Sequence, residues 1–134
     1  MSLFYNIVQR RNPLKKDEPA KYYPVLKSLG KVSEKEVARL ITDETTLNPK
    51  EAEMTIYQLE KVLKRVLLDG HTVQLGELGT FMLTANSEGA DTEKEATADN
   101  IKKLSLHFRT SKEMQEALNK ATFSPIASLN PKEK

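Results

Sequence analysis

Between residues 103 and 109 the sequence sets Lys103, Ser105, His107 and Arg109 two apart, with Lys112 three further on. A period of two places the first four on one face of a strand and leaves Leu104, Leu106 and Phe108 on the other. Lysine and arginine so arrayed can hold phosphate oxygens, contacts that set position on a polyanion without reading its sequence. Lys102 and Lys120 lie nearby and could add charge. A solvated sheet face shows the same alternation, so the pattern by itself leaves both readings open.

Other chemistries find little support. The chain has no cysteine, which excludes disulfides, thiol catalysis and every cysteine-ligated zinc or iron–sulfur site. Its two histidines, His71 and His107, are too few for a three-histidine metal centre. There is no phosphate-cradling glycine loop, no G-x-S-x-G elbow and no H-E-x-x-H. The carboxylate pairs Glu34/Glu36 and Glu51/Glu53 each fall in the first turn of an expected helix, where acidic groups complement the helix dipole. His71 follows a helix stop and reads as a solvated loop residue. No catalytic constellation, cofactor or metal is expected.

The elements that must position the basic residues are legible in outline. Residues 3–9 and 22–27 are aromatic and β-branched and read as two short strands, the second at an edge because Pro24 lacks a donor. Ser33 and Glu36 match a capping box opening a helix with Val37, Leu40 and Ile41 on one face. Asn48-Pro49 starts a second helix, and Gly70 stands where a left-handed stop belongs. Along it Ala52, Ile56, Leu59, Leu63, Val66 and Leu67 form a helical stripe. Met54, Tyr57, Val62 and Leu68 form a second apolar set, more than the short first helix can cover, and dimerisation is the economical answer. The period then switches to two around Val73 and Leu75, and again around Phe81 and Leu83, with Gly76 to Gly79 as the turn between. Residues 86–100 are polar and acidic and read as a mobile connection. After the strand with Lys103 to Arg109, Ser111 caps a last helix with Met114, Ala117 and Leu118 inward. The stretch from 122 to 134, with Pro125 and Pro131, reads as a disordered tail.

Charge follows this division. Residues 1–32 carry seven basic and two acidic side chains, and residues 101–134 carry seven and three. Between them, residues 33–71 carry six and eight, and residues 72–100 carry Lys94 alone against six acids. Basic ends flank an acidic middle, as in a chain with a polyanion-binding face, although a lysine-rich surface would look similar. With 134 residues, one core-bearing domain is expected. No basic-then-apolar leader and no run of about 20 apolar residues is visible, which points to a soluble cytoplasmic protein.

The order of two helices, a hairpin with a long connection, a strand and a short helix resembles the HU and integration host factor family. The resemblance covers roughly residues 33–121. It is carried by Val73-Gln74-Leu75, Leu78-Gly79-Thr80-Phe81, Phe108-Arg109-Thr110-Ser111-Lys112 and Glu116-Ala117-Leu118-Asn119. The added N-terminal strands and proline-containing tail are similar to the extended HU-like proteins of the Bacteroides group. The resemblance implies an α+β fold. Two N-terminal helices would form an intertwined homodimer core, joined to a three-stranded antiparallel sheet with a protruding β-arm at about 84–102 and a short C-terminal helix. Residues 1–32 would add a two-stranded appendage.

It further implies a non-enzymatic, nucleoid-associated protein that binds and bends double-stranded DNA with low sequence specificity, and Arg109 and Lys112 match family phosphate-contacting positions. This chain departs from the pattern in its arm, where residues 86–100 hold five acids, one lysine and no proline. Glu77 also replaces a glycine of the family turn. Arg11-Asn12-Pro13, flanked by Arg10, Lys15 and Lys16, stands between the two N-terminal strands and could supply the basic arm instead. The DNA-contacting set expected is therefore Arg109, Lys112, Lys103, His107, Arg10, Arg11, Lys15 and Lys16. The alternative is an HU-fold interaction or DNA-mimic module whose acidic arm takes a basic protein partner.

Overall fold

The structure, a computed structural model, describes residues 2–129 and divides into two units. One holds the chain up to Val32 together with the segment from Leu118 onward, and the other holds Ser33–Ala117.

The first unit is built on β1 (Ser2–Arg10), β2 (Lys21–Lys27) and β6 (Thr122–Pro125), in the order β2-β1-β6. β1 and β2 are antiparallel, with Tyr5 opposite Leu26, Ile7 opposite Pro24 and Arg10 opposite Lys21. Pro24 lies on the outer strand of the sheet, as expected for a residue without a backbone donor. The expected two-stranded appendage is thus a three-stranded sheet. β6 runs parallel to β1, Ser2 to Tyr5 facing Thr122 to Pro125, and the Ser2 and Ser124 hydroxyls are 2.7 Å apart. Local composition hid this strand because Pro125 and the polar residues around it suggest irregular chain. Its partner, moreover, lies about 120 positions away. A 3-10 turn at Ile126–Leu129 follows, so the expected disordered tail is regular over its described part; residues 130–134, including Pro131, lie outside the described residues.

The second unit contains α1 (Glu34–Thr42), α2 (Pro49–Leu68), β3 (Val73–Leu75), β4 (Gly79–Ser87), β5 (Ile101–Thr110) and α3 (Lys112–Asn119), the last continuing into the first unit. At the start of α1 the Ser33 hydroxyl accepts from the Glu36 amide (3.3 Å). The expected reciprocal bond is replaced, because the Glu36 carboxylate receives the Arg39 guanidinium at 2.6 Å. That hydrogen bond and charge hold Glu36 below the usual carboxylate range, and raise Arg39. The full capping box forms at α2, where Asn48 and Glu51 exchange side-chain and backbone bonds of 3.0 Å each. α2 ends in a Schellman motif: the Gly70 amide (φ +89°) donates to Leu67, and His71 to Val66.

Packing within this unit is thin. Ala38 and Ala52, at 0 % and 1 % exposed, mark the α1–α2 contact, and Leu67 is the third buried apolar side chain among the described residues. Ile56, Leu63 and Val66 are half-buried. Met54, Tyr57, Leu59 and Leu68 are exposed, so the apolar stripe and the second apolar set both extend into open surface.

Candidate nucleic-acid interface

The basic strand owes its orientation to the β3-β4-β5 sheet. β4 and β5 are antiparallel, with Phe81 directly opposite Phe108 and ring centroids 4.8 Å apart. That aromatic pair, followed by Leu83 opposite Leu106 and Ala85 opposite Leu104, claims one face. Because the side-chain period is two, the opposite face then carries Thr80, Met82, Thr84 and Asn86 from β4, and Arg109, His107, Ser105 and Lys103 from β5. Three of these eight positions are basic and none is acidic.

β3 covers only the base of this sheet, since its register runs from Val73 opposite Phe81 to Leu75 opposite Gly79. Beyond Phe81 the β4–β5 ladder is a two-stranded ribbon that continues to Ser87 opposite Ile101, with a register shift after Asn86. The end of the ribbon is more regular than the polar sequence of residues 86–100 suggests. The Glu88 amide donates to the Asn100 carbonyl (2.8 Å) and the Asn100 side-chain amide returns a bond to the Glu88 carbonyl (3.1 Å). Thr97 and Asn100 cap a 3-10 turn at Ala98–Asn100, and Lys102 lies 3.7 Å from the Glu88 carboxylate.

Lys112 is positioned by a neighbour whose wider role the sequence conceals. The Ser111 hydroxyl accepts from the Met114 amide (3.0 Å), capping α3 as expected. The same hydroxyl donates to the Glu77 carbonyl, and the Ser111 amide donates to the Leu78 carbonyl (3.2 Å). The β3–β4 turn and the start of α3 are therefore tied together, fixing Lys112 beside the end of the strand that carries Arg109. Gly79 makes the close approach possible: it has φ +150°, and an added Cβ would lie 2.8 Å from the Phe108 ring and against the Arg109 carbonyl. Nothing in the local sequence around Ser111 identifies Glu77 as its partner.

Arg10, Arg11, Lys15 and Lys16 belong to the other unit, at the β1–β2 connection. Arg10 ends β1. The Lys15 amide closes a turn onto the Asn12 carbonyl (3.2 Å), and the Asn12 side chain accepts from the Leu14 amide (3.0 Å). A second turn joins Glu18 to Lys15, whose ammonium pairs with the Glu18 carboxylate at 3.2 Å. The expected basic residues thus form two groups: Lys103, His107, Arg109 and Lys112 in one unit, and the hairpin connection in the other. Among the described residues no cluster of side chains could hold a metal ion, and no helix is long and apolar enough to cross a membrane.

A family model described as an HU domain fused to a winged helix-turn-helix, Ig or glycine-rich motif, HU-HIG, matches residues 1–125. The chain belongs to the HU-HIG family. Solved structures share the fold at low identity. A candidate bacterial DNA-binding protein from Bacteroides vulgatus superposes with a TM-score of 0.67 at 12 % identity, over 93 % of this chain and 48 % of its own. This HU-HIG chain thus spans about half the length of that protein. The HU protein of an Anabaena HU–DNA cocrystal superposes with a TM-score of 0.53 at 15 % identity, over 66 % of this chain and 99 % of its own. About a third of the HU-HIG chain therefore has no counterpart in that protein. No curated protein matches the chain.

Proposed function

We propose that this HU-HIG chain is a non-enzymatic architectural protein that binds double-stranded DNA as a homodimer, with little sequence preference, through backbone phosphates. The observation that carries this reading is the β4–β5 face with three basic side chains and no acidic one, within a fold shared with HU. Lys103, His107 and Arg109 project from one strand face, and Lys112 adds a cation at the start of α3. Lys103, Arg109 and Lys112 would donate to phosphate oxygens and release condensed counterions, and His107 would add a hydrogen bond, which favours binding without distinguishing bases. Arg10, Arg11, Lys15 and Lys16 supply a second cationic contact. The acidic stretch 88–99 repels phosphate, so the ribbon's grip on the duplex ends near Lys103. A DNA-bound role places the protein at the nucleoid.

The open apolar residues of α2 support the dimer: Met54, Tyr57, Leu59 and Leu68 are exposed, and a second protomer would cover such a face.

A second reading rests on the bonded ends of the acidic stretch. Its acids, held by the Glu88–Asn100 pair and the Thr97 cap, would make the chain an interaction module that takes a basic protein partner or mimics DNA. Fluorescence anisotropy with a labelled duplex separates the two. DNA binding with a salt slope of several units, at about −0.9 per phosphate contact, supports the first reading. No binding at low salt from a folded dimer rejects it in favour of the second.

A further inference from the structure

Strand register gathers an uncharged face on the β2-β1-β6 sheet. β1 places Leu3, Tyr5, Ile7 and Gln9 on one side. Tyr22, Pro24 and Leu26 of β2 join them there, as do Phe123 and Pro125 of β6. None of the nine is charged. The other side carries Arg10, Lys21 and Lys27, and its Phe4, Val8 and Val25 are half-buried. On the uncharged side only Tyr5 is half-buried, whereas Ile7, Leu26 and Phe123 are 51 %, 59 % and 61 % exposed. Tyr5, Ile7 and Pro24, with Leu26 and Phe123, line a groove of about 460 Å³ on it.

We propose that this face packs against the same face of a second copy of the chain, as a contact separate from the α2 pairing proposed above. In a two-fold interface the same patch meets itself, so any charge on it meets a like charge. A face with no charge in nine positions avoids that cost, whereas the opposite side, with three cations, does not. Two apolar sheet faces pack about 10 Å apart with their side chains interdigitated, and the groove gives the exposed Leu26 and Phe123 of another copy a place to enter. Other occupants fit less well. DNA would find no cation on this face, and a small ligand would find few polar groups to orient it. Residues 130–134, Asn-Pro-Lys-Glu-Lys, are too polar to cover it. From strand spacing and rise the face measures roughly 300 Å² in projection. Two such faces fall short of the 1,200 Å² or so of a stable interface, so the contact is weak and joins chains at high concentration.

Sedimentation equilibrium over a range of concentrations tests this. Wild type should have twice 15.2 kDa when dilute, through α2, and rise toward four chains as concentration increases. Ile7→Glu, at an exposed position, should stay at two chains throughout. Phe123→Ser, on the neighbouring strand, should do the same without adding charge. Asn6→Glu, exposed on the opposite side of β1, should associate as wild type does. A wild type that stays at two chains overturns the inference and leaves the face to a different protein, with the α2 dimer intact. Association of Ile7→Glu and Phe123→Ser equal to wild type also overturns it, as does an equal block by Asn6→Glu. A wild type that is a single chain when dilute, and pairs at high concentration only where Ile7 is intact, upholds the sheet contact and rejects the α2 dimer. A single chain at every concentration overturns both.

Discussion

Gly79→Ala tests how tightly the basic strand is held. Gly79 is buried at the first position of β4, opposite Thr110, with φ +150°. An L-residue there is strained by about 1–3 kcal/mol. The new methyl would also meet the Phe108 ring at 2.8 Å and the Arg109 carbonyl, and overpacking of this kind costs a further 1–3 kcal/mol or so. The expected loss is about 2–6 kcal/mol, which at about 2–4 °C per kcal/mol lowers Tm by at least about 4 °C. Gly89→Ala is the control: nothing lies within 4 Å of its added Cβ and its φ is unstrained, so the change should stay within about 1 kcal/mol. Thermal unfolding by circular dichroism compares the two at matched concentrations, because the proposed dimerisation would make Tm concentration-dependent. Equal Tm values would refute the argument that close approach at Gly79 positions Phe108 and Arg109.

Three further outcomes follow from the same geometry. Asn48→Ala removes the acceptor of the α2 capping box and should cost about 1 kcal/mol in urea unfolding, whereas an exposed change such as Lys64→Ala should cost under about 0.5 kcal/mol. Neutralising Asp91, Glu93 and Glu95 to their amides should tighten duplex binding at low salt and have little effect at high salt, where screening removes the repulsion; anisotropy titrations at the two salt concentrations show whether it does. Tyr57→Glu, on the exposed face of α2, should reduce the mass measured by sedimentation from about twice 15.2 kDa toward one chain, and an unchanged dimer would exclude that face from the interface.

Features set by near neighbours were readable. Asn48-Pro49, Gly70 and Ser111 announce helix ends because capping is an exchange of bonds among residues three or four apart. Lys103, His107 and Arg109 were placed on one face because strand period alone decides it, and the Phe81–Phe108 pair realises that register. Contacts between distant segments were not readable. β6 finds β1 across most of the chain, and Ser111 reaches Glu77 across the hairpin. At α1 two local options competed, and Glu36 bonds the guanidinium of Arg39 in place of the Ser33 amide.

The most direct test of DNA binding by the β4–β5 face is a salt titration of duplex affinity for wild type and for Lys103→Ala/Arg109→Ala/Lys112→Ala, followed by fluorescence anisotropy. The account predicts measurable wild-type binding whose log–log salt slope becomes shallower in the variant by about 0.9 for each phosphate that the missing cations would have neutralised. An identical slope and affinity in the two proteins, or no wild-type binding at low salt from a folded dimer, would contradict it.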